Sequence, residues 1–168
     1  MCQLFGISSK ENVELNEYLK EFYSHSNEHP HGWGLAFMDH NHVSIEKEPM
    51  QASKSKYLKE RLSTPIASSM AFAHIRYATI GNIKYANCHP FTLRDKTGRQ
   101  WVQIHNGTIF DFKPLSKYVK VQEGDSDSER VLRYIVDQMN KAQEIKPLDA
   151  KGRFELLDQI VCSMSLGN

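Results

Sequence analysis

A chain of 168 residues with 40% apolar and 10% aromatic content can bury one core, which excludes a mainly disordered polymer. The 21 basic residues against 20 acidic ones leave a formal charge of +1, too weak a field to recruit nucleic acid or an anionic membrane surface. No apolar run approaches the roughly 20 residues of a membrane-spanning helix, and MCQLFGISS has neither a basic leader nor an apolar signal stretch, so the expected location is the cytoplasm.

The elements follow in chain order. Leu4-Phe5-Gly6-Ile7 reads as a short strand within residues 2–9, and Val13, Leu15, Tyr18, Leu19 and Phe22 then recur at helical spacing. Residues 24–34 are polar, carry Pro30, Gly32 and Gly34, and form a loop delivering Trp33 into a strand at Leu35-Ala36-Phe37-Met38. Asp39-His40-Asn41 breaks that run before the return strand His42-Val43-Ser44-Ile45-Glu46. A short exposed helix is expected over residues 57–62 and a buried strand over 67–77. Residues 91–94 and 99–105 flank the four-residue turn Asp95-Lys96-Thr97-Gly98 as a hairpin. Ser126-Asp127-Ser128-Glu129 has the form of a capping box. In that box the Ser126 hydroxyl and the Glu129 carboxylate satisfy amide donors at a helix start, and Val131, Leu132, Ile135, Val136 and Met139 continue the helix. A last helical pattern runs through Phe154, Leu157, Ile160, Val161 and Met164, with Gly167 as its terminator. Nothing resembling an internal repeat or a domain-sized linker interrupts this order, so residues 1–168 read as a single domain of mixed strands and helices.

Three widely spaced cysteines, Cys2, Cys88 and Cys162, with no C-x-x-C argue for free thiols in a reducing compartment and against a disulfide framework or structural zinc site. The sequon at Asn106-Gly107-Thr108 is then a coincidence. Cys162 is expected on the apolar side of the last helix, and Cys88, beside His89, competes with Cys2 for reactivity. Cys2 is the most informative of the three. Removal of Met1 would leave it with a free α-amine of reference pKa about 7.7–8.0 beside a thiol of about 8.5, so the amine can take the thiol proton without a histidine base. Taken alone, an early cysteine is more often a small hydrophobe filling a strand.

Cys2-Gln3-Leu4-Phe5-Gly6, His31-Gly32-Trp33-Gly34, His74-Ile75-Arg76-Tyr77-Ala78-Thr79, Asn87-Cys88-His89-Pro90-Phe91, His105-Asn106-Gly107 and Ser126-Asp127-Ser128-Glu129 occur in one order. Over residues 2–136 this order and spacing resemble those of class II glutamine amidotransferases, in particular the compact glutaminase-like members among the N-terminal nucleophile hydrolases. The resemblance implies an α+β fold, a four-layer αββα sandwich of two mainly antiparallel sheets. Its members usually continue further, which implies a sandwich incomplete at its C-terminus, with open sheet edges favouring a homodimer. Cys2 is expected at the end of a central strand. The implied activity is release of ammonia from the side-chain amide of glutamine or a related γ-glutamyl compound through a Cys2 thioester. No cofactor is implied, and with no synthase domain in sight a partner synthase would use the ammonia.

Site roles follow from the same resemblance, and each has a plainer local reading. Asn106 and Gly107 would form the oxyanion hole, although Asn-Gly by itself is a turn dipeptide. Arg76 would hold the substrate α-carboxylate through its planar fork, or else make a structural ion pair at a strand end. Asp127 would accept the α-ammonium, or simply be a capping charge in the first helical turn. Thr79 and His89 would line the pocket. Trp33 would form a pocket wall on a mobile loop, though an aromatic there is more often core.

Two rivals remain. His29-x-His31 and His40-x-His42 could make a metal-binding protein, a reading weakened by Pro30 and the lack of a carboxylate or cysteine cluster. A non-catalytic or ammonia-supplying subunit for a partner is the other.

Overall fold

A computed structural model describes residues 1–39 and 42–166 of the chain. Strand β1 (Gln3–Glu14) leads into helix α1 (Asn16–Ser24), and β2 (Trp33–Asp39) and β3 (His42–Glu48) form a hairpin. Helix α2 (Lys56–Arg61) then precedes β4 (Ala67–Ile75). These four strands make an antiparallel sheet in the order β1-β4-β2-β3. A second antiparallel pair, β5 (Phe91–Arg94) and β6 (Gln100–Gln103), is followed by α3 (Asp127–Ile145) and α4 (Ala150–Ser165).

Alternation sorts each strand between two faces. On β4, Ala71, Ala73 and Ile75 join Leu15, Leu19, Phe22 and Leu58 in a core between the sheet and helices α1 and α2. His74 points the other way, and its ring lies 4.2 Å from that of His89, which in turn meets Phe91 of β5 edge-on. Beyond that hairpin, Phe91 packs with Leu132 and Val136 of α3, and the opposite side of α3 buries Val131, Ile135 and Met139 against Ile160 and Met164 of α4. The layers therefore run helix, sheet, sheet, helix, as the αββα expectation requires. A second bridge between the sheets is the half-buried Lys47. Its ammonium donates to the carbonyls of Cys88 (2.7 Å) and Pro90 (3.1 Å), and it lies 4.9 Å from the centre of the Tyr85 ring. No helix among the described residues is long and apolar enough to cross a membrane.

Several local expectations need correction. The first strand is longer than its apolar run: it continues through polar residues to Glu14, where Val13 and Glu14 pair again with Ser68 and Ala67 of β4 after a register irregularity between Ser8 and Val13. Val13 is therefore strand, and the helix starts only at Asn16. That side chain closes the junction by donating to the Leu62 and Thr64 carbonyls and accepting from the Ile66 amide. Cys2 does lie at a strand end, but β1 is an edge of the described sheet and not a central strand. Only half of the capping box forms. Ser126 Oγ accepts from Glu129 N, whereas the Glu129 carboxylate caps the amides of Glu123 and Gly124 in the preceding loop and pairs with Arg133. On α4, Ile160 and Met164 are the buried pair, one helical turn apart. Cys162 lies between them in sequence, on the opposite side of the helix, and is exposed with Phe154 and Val161. Residues His40, Asn41 and Gly167 lie outside the described residues, so the chain break and the helix terminator expected there have no structural counterpart to compare.

The packed histidines between the sheets make stability depend on pH. Burial lowers the pKa of His74 to about 3 and pushes that of His89 well down. An unfolded chain protonates such rings near pH 6.5, so below that point the unfolded state binds more protons and stability falls as pH drops. Each ring contributes a slope of about 1.4 kcal/mol per pH unit in this window. Urea unfolding at about pH 7 and about pH 5 should show a clearly lower midpoint at the acid end. Coincident midpoints would mean that the rings are charged or solvated in the folded protein.

Candidate active site

Antiparallel pairing of Gln3 with Ile75 forces the residue before β1 to lie beside the residues after β4. Cys2 accordingly meets Tyr77: its Sγ accepts from the Tyr77 amide (3.4 Å) and lies 3.5 Å from the Tyr77 carbonyl oxygen, to which the thiol can donate. From the other side Asn106 Nδ2 donates to the Cys2 carbonyl at 2.8 Å. Cys2, Arg76, Thr79, His89, Gly107 and Asp127 all line one cleft of about 30 Å³, so seven of the eight residues expected from the sequence gather here. Trp33 does not.

Trp33 is fully buried on the helix side of the sheet. It stacks 6.2 Å from Tyr57, meets Tyr23 edge-on at 5.9 Å, and donates from its indole to Glu48 at 3.0 Å. The flanking glycines do not provide loop mobility. A Cβ on Gly34 would sit 1.8 Å from the His89 carbonyl oxygen, so glycine is required for the segment carrying His89 to lie against β2. That requirement involves a residue 55 positions away in sequence.

Each charged side chain in the cleft already has protein partners. Arg76 is 4% exposed and donates through Nη1 to the Asn82 carbonyl and through Nη2 to those of Ile80 and Gly81, at 3.0 to 3.1 Å. Asp127 Oδ2 accepts from the Ile109 amide at 2.8 Å. Of the cleft imidazoles, His105 is hydrogen-bonded to Ser128 Oγ at 2.9 Å; burial lowers its pKa, with Asp127 acting in the opposite sense. Burial likewise keeps His89 neutral. Rings of such low basicity are poor acceptors for a thiol proton.

One side chain behind the cleft escaped sequence reasoning in its role. His31, considered there only as a metal ligand, turns Nδ1 to the Ala78 amide at 2.9 Å and packs its ring 5.2 Å from that of Tyr77. It thereby fixes the peptide that holds Cys2. The Ala78 contact takes His31 Nδ1, and His29 is buried. The expected pair His40-x-His42 includes a residue outside those described. Among the described residues no three His, Cys, Asp or Glu side chains gather as a metal site requires.

Comparison with known proteins decides the family. The family described as class-II glutamine amidotransferases matches residues 1–166. The chain belongs to it. The uncharacterized protein MJ1515 of Methanocaldococcus jannaschii is 36% identical over 160 residues, covering 94% of this chain and 44% of that protein. Two solved structures share the fold. A Pseudomonas aeruginosa PA01 protein described as a predicted glutamine amidotransferase superposes with a TM-score of 0.63 at 22% identity, covering 95% of this chain and 63% of that one. The glutamine phosphoribosylpyrophosphate amidotransferase of B. subtilis gives 0.62 at 23%, covering 99% and 33%. This class-II amidotransferase chain spans about half the length of the curated relatives it matches.

The three thiols have distinct environments. Burial pushes the Cys88 thiol up to about 11, and its Sγ faces the carbonyls of Glu48 (3.4 Å) and Lys84 (3.6 Å). Cys2 is half-buried in the cleft and Cys162 is exposed. Titration of the folded protein with a small aromatic disulfide at mildly alkaline pH should therefore count two accessible thiols, with the third released only by denaturant. Cys88→Ala should leave the native count unchanged. Rapid native labelling of Cys88 would contradict this placement.

Proposed function

We propose that the chain acts as a cysteine-dependent amidohydrolase that releases ammonia from the side-chain amide of glutamine or a related γ-glutamyl compound. The observation carrying this reading is the convergence on one cleft of the Cys2 thiol, the Gly107 backbone and two side chains of opposite charge, Arg76 and Asp127. Removal of Met1 is required, because it frees the α-amine of Cys2.

The amine then takes the thiol proton and the sulfur attacks the amide carbon. As the carbonyl π electrons move onto oxygen, the second hydrogen of the Asn106 side-chain amide and the Gly107 N–H donate to it. Losing one such donor costs about 2.7–4 kcal/mol of barrier. The proton returns from the ammonium to the amide nitrogen, the C–N bond breaks, and ammonia leaves behind a Cys2 thioester. Water then adds to the thioester carbon, the C–S bond breaks, and glutamate departs with the thiol restored.

Arg76 meets the α-carboxylate and Asp127 the α-ammonium, with Thr79 and His89 completing the wall. The reading extends to a cytoplasmic location, where free thiols persist, and to a partner synthase or a second copy of the chain as the setting in which ammonia is used. The near-neutral net charge supports a small-molecule partner over nucleic acid or membrane.

Ammonia release would be compared for glutamine, its N-acetyl form and its α-amide. Removing either substrate charge leaves Arg76 or Asp127 with its neutral hydrogen bonds but no opposite charge, so each blocked compound should turn over slower by roughly a hundredfold or more. Cys2→Ala should be inactive, and Arg76→Lys should be damaging because a point charge does not reproduce the guanidinium fork. Equal turnover of all three compounds, or parental activity in Cys2→Ala, would overturn the reading and favour a non-catalytic subunit.

A further inference from the structure

The two side chains proposed to read the substrate ends lie on separate segments, Arg76 after β4 and Asp127 at the start of α3. Their separation must be held by something other than either element. Arg76 grips the carbonyls of residues 80–82. The same loop is tied to the approach of α3 through one carboxylate: Asp125 Oδ2 accepts from Asn82 Nδ2 at 2.9 Å, and Asp125 Oδ1 accepts from Asn87 Nδ2. Lys84 Nζ stands 3.4 Å from that second oxygen. Asn87 is fully buried and answers in kind, accepting from the Asp125 amide at 2.9 Å while donating to the Asn82 carbonyl at 2.8 Å.

Gly81 shows how tightly the parts meet. Its φ is +83°, and a Cβ there would lie 3.0 Å from Asn87 Nδ2, 3.3 Å from Asp125 Oδ1 and 3.4 Å from Arg76 Nη2. Loop, carboxylate and guanidinium thus share one contact point. Two residues beyond Asp125, Asp127 enters the first turn of α3.

We propose that Asp125 is a positioning residue: by joining the loop gripped by Arg76 to the start of α3, it sets the separation at which Arg76 and Asp127 meet the two charged ends of one substrate. The inference rests on the substrate reading given above and adds a residue that touches neither the substrate nor Cys2. Hydrogen bonds from Asn87 and Asn82 hold the Asp125 carboxyl below its ordinary range, so it remains a charged acceptor at neutral pH. Without it, the loop keeps its grip on Arg76 but loses its fixed distance to α3. A displacement of about 1 Å between paired binding groups lowers catalytic efficiency by up to roughly a hundredfold.

The test uses the full chain with Met1 removed and compares wild type with Asp125→Ala, Asp125→Asn and Asn82→Ala. Asn82 is exposed, and its truncation removes the direct Asn82–Asp125 bond while leaving its carbonyl on Arg76 and on Asn87, so this variant reports even where Asp125→Ala does not fold. Steady-state constants for glutamine and its α-amide would be measured alongside the rate of Cys2 alkylation by iodoacetamide, a reagent with no charged ends. For Asp125→Ala, KM for glutamine should rise roughly tenfold or more while kcat falls less, and the preference for glutamine over its α-amide should shrink; Asn82→Ala, which leaves the Asn87 bridge, should move both in the same direction by less. Asp125→Asn, which keeps one carbonyl acceptor, should lie between. Alkylation of Cys2 should proceed at the parental rate in all three. An unchanged preference in the folded variants, with wild type discriminating, would overturn the role of Asp125 alone. Absence of discrimination in wild type would overturn the substrate reading together with it.

Discussion

Everything at the cleft depends on one backbone pairing, the antiparallel match of Gln3 with Ile75. It turns a sequence separation of 75 residues into the contact between the Cys2 sulfur and the Tyr77 peptide. Strand β4 is the hub, since it pairs with β1 on one side and β2 on the other and runs directly into Arg76. Its alternation also divides the labour of the two faces. Alanines and Ile75 build a dry core with the first helices, whereas His74 faces the second sheet and reaches His89. The Cys2 thiol, the Arg76 guanidinium and a buried imidazole are thus placed by neighbouring parts of one strand pair.

The second half of the cleft comes from the loop leading into α3. Two side chains tie it down: Glu129 caps two amides of that loop, and Asp125 binds Asn82 and Asn87. Such closure matters because a buried guanidinium and carboxylate are costly unless met by partners. Arg76 finds three carbonyls in a segment four to six residues ahead, and Asp127 finds the Ile109 amide. Side chains held this way are preorganised, which reduces what any ligand meeting them must order on arrival.

Much of this was legible in the sequence because it rests on local chemistry. Asp95-Lys96-Thr97-Gly98 forms the turn of β5 and β6, with Asp95 accepting from the amides of Thr97 and Arg99, and Ser126 caps α3. The ordered motifs identified the family and gathered seven candidate residues. Failures arose where a distant partner decided the outcome. Residues 8–14 have no strand pattern of their own, and Ser8, Val13 and Glu14 pair with Met70, Ser68 and Ala67 of β4 on either side of a register irregularity. The glycines around Trp33 suggested a mobile wall, whereas Gly34 accommodates a carbonyl from His89 and the indole lies in the core. Cys162 looked apolar by its neighbour Val161, yet α4 buries only the narrow stripe at Ile160 and Met164. His31 offered no local sign that its partner would be the Ala78 amide.

The central claim is that Cys2, with its own α-amine as base, is the nucleophile of this cleft. Intact-mass and peptide analysis after reaction with a glutamine analogue carrying a diazoketone in place of the amide tests it most directly. The account predicts one adduct per chain, located on Cys2, and confined to molecules that have lost Met1. An adduct on Cys88 or Cys162, or equal labelling of molecules that retain Met1, would contradict it.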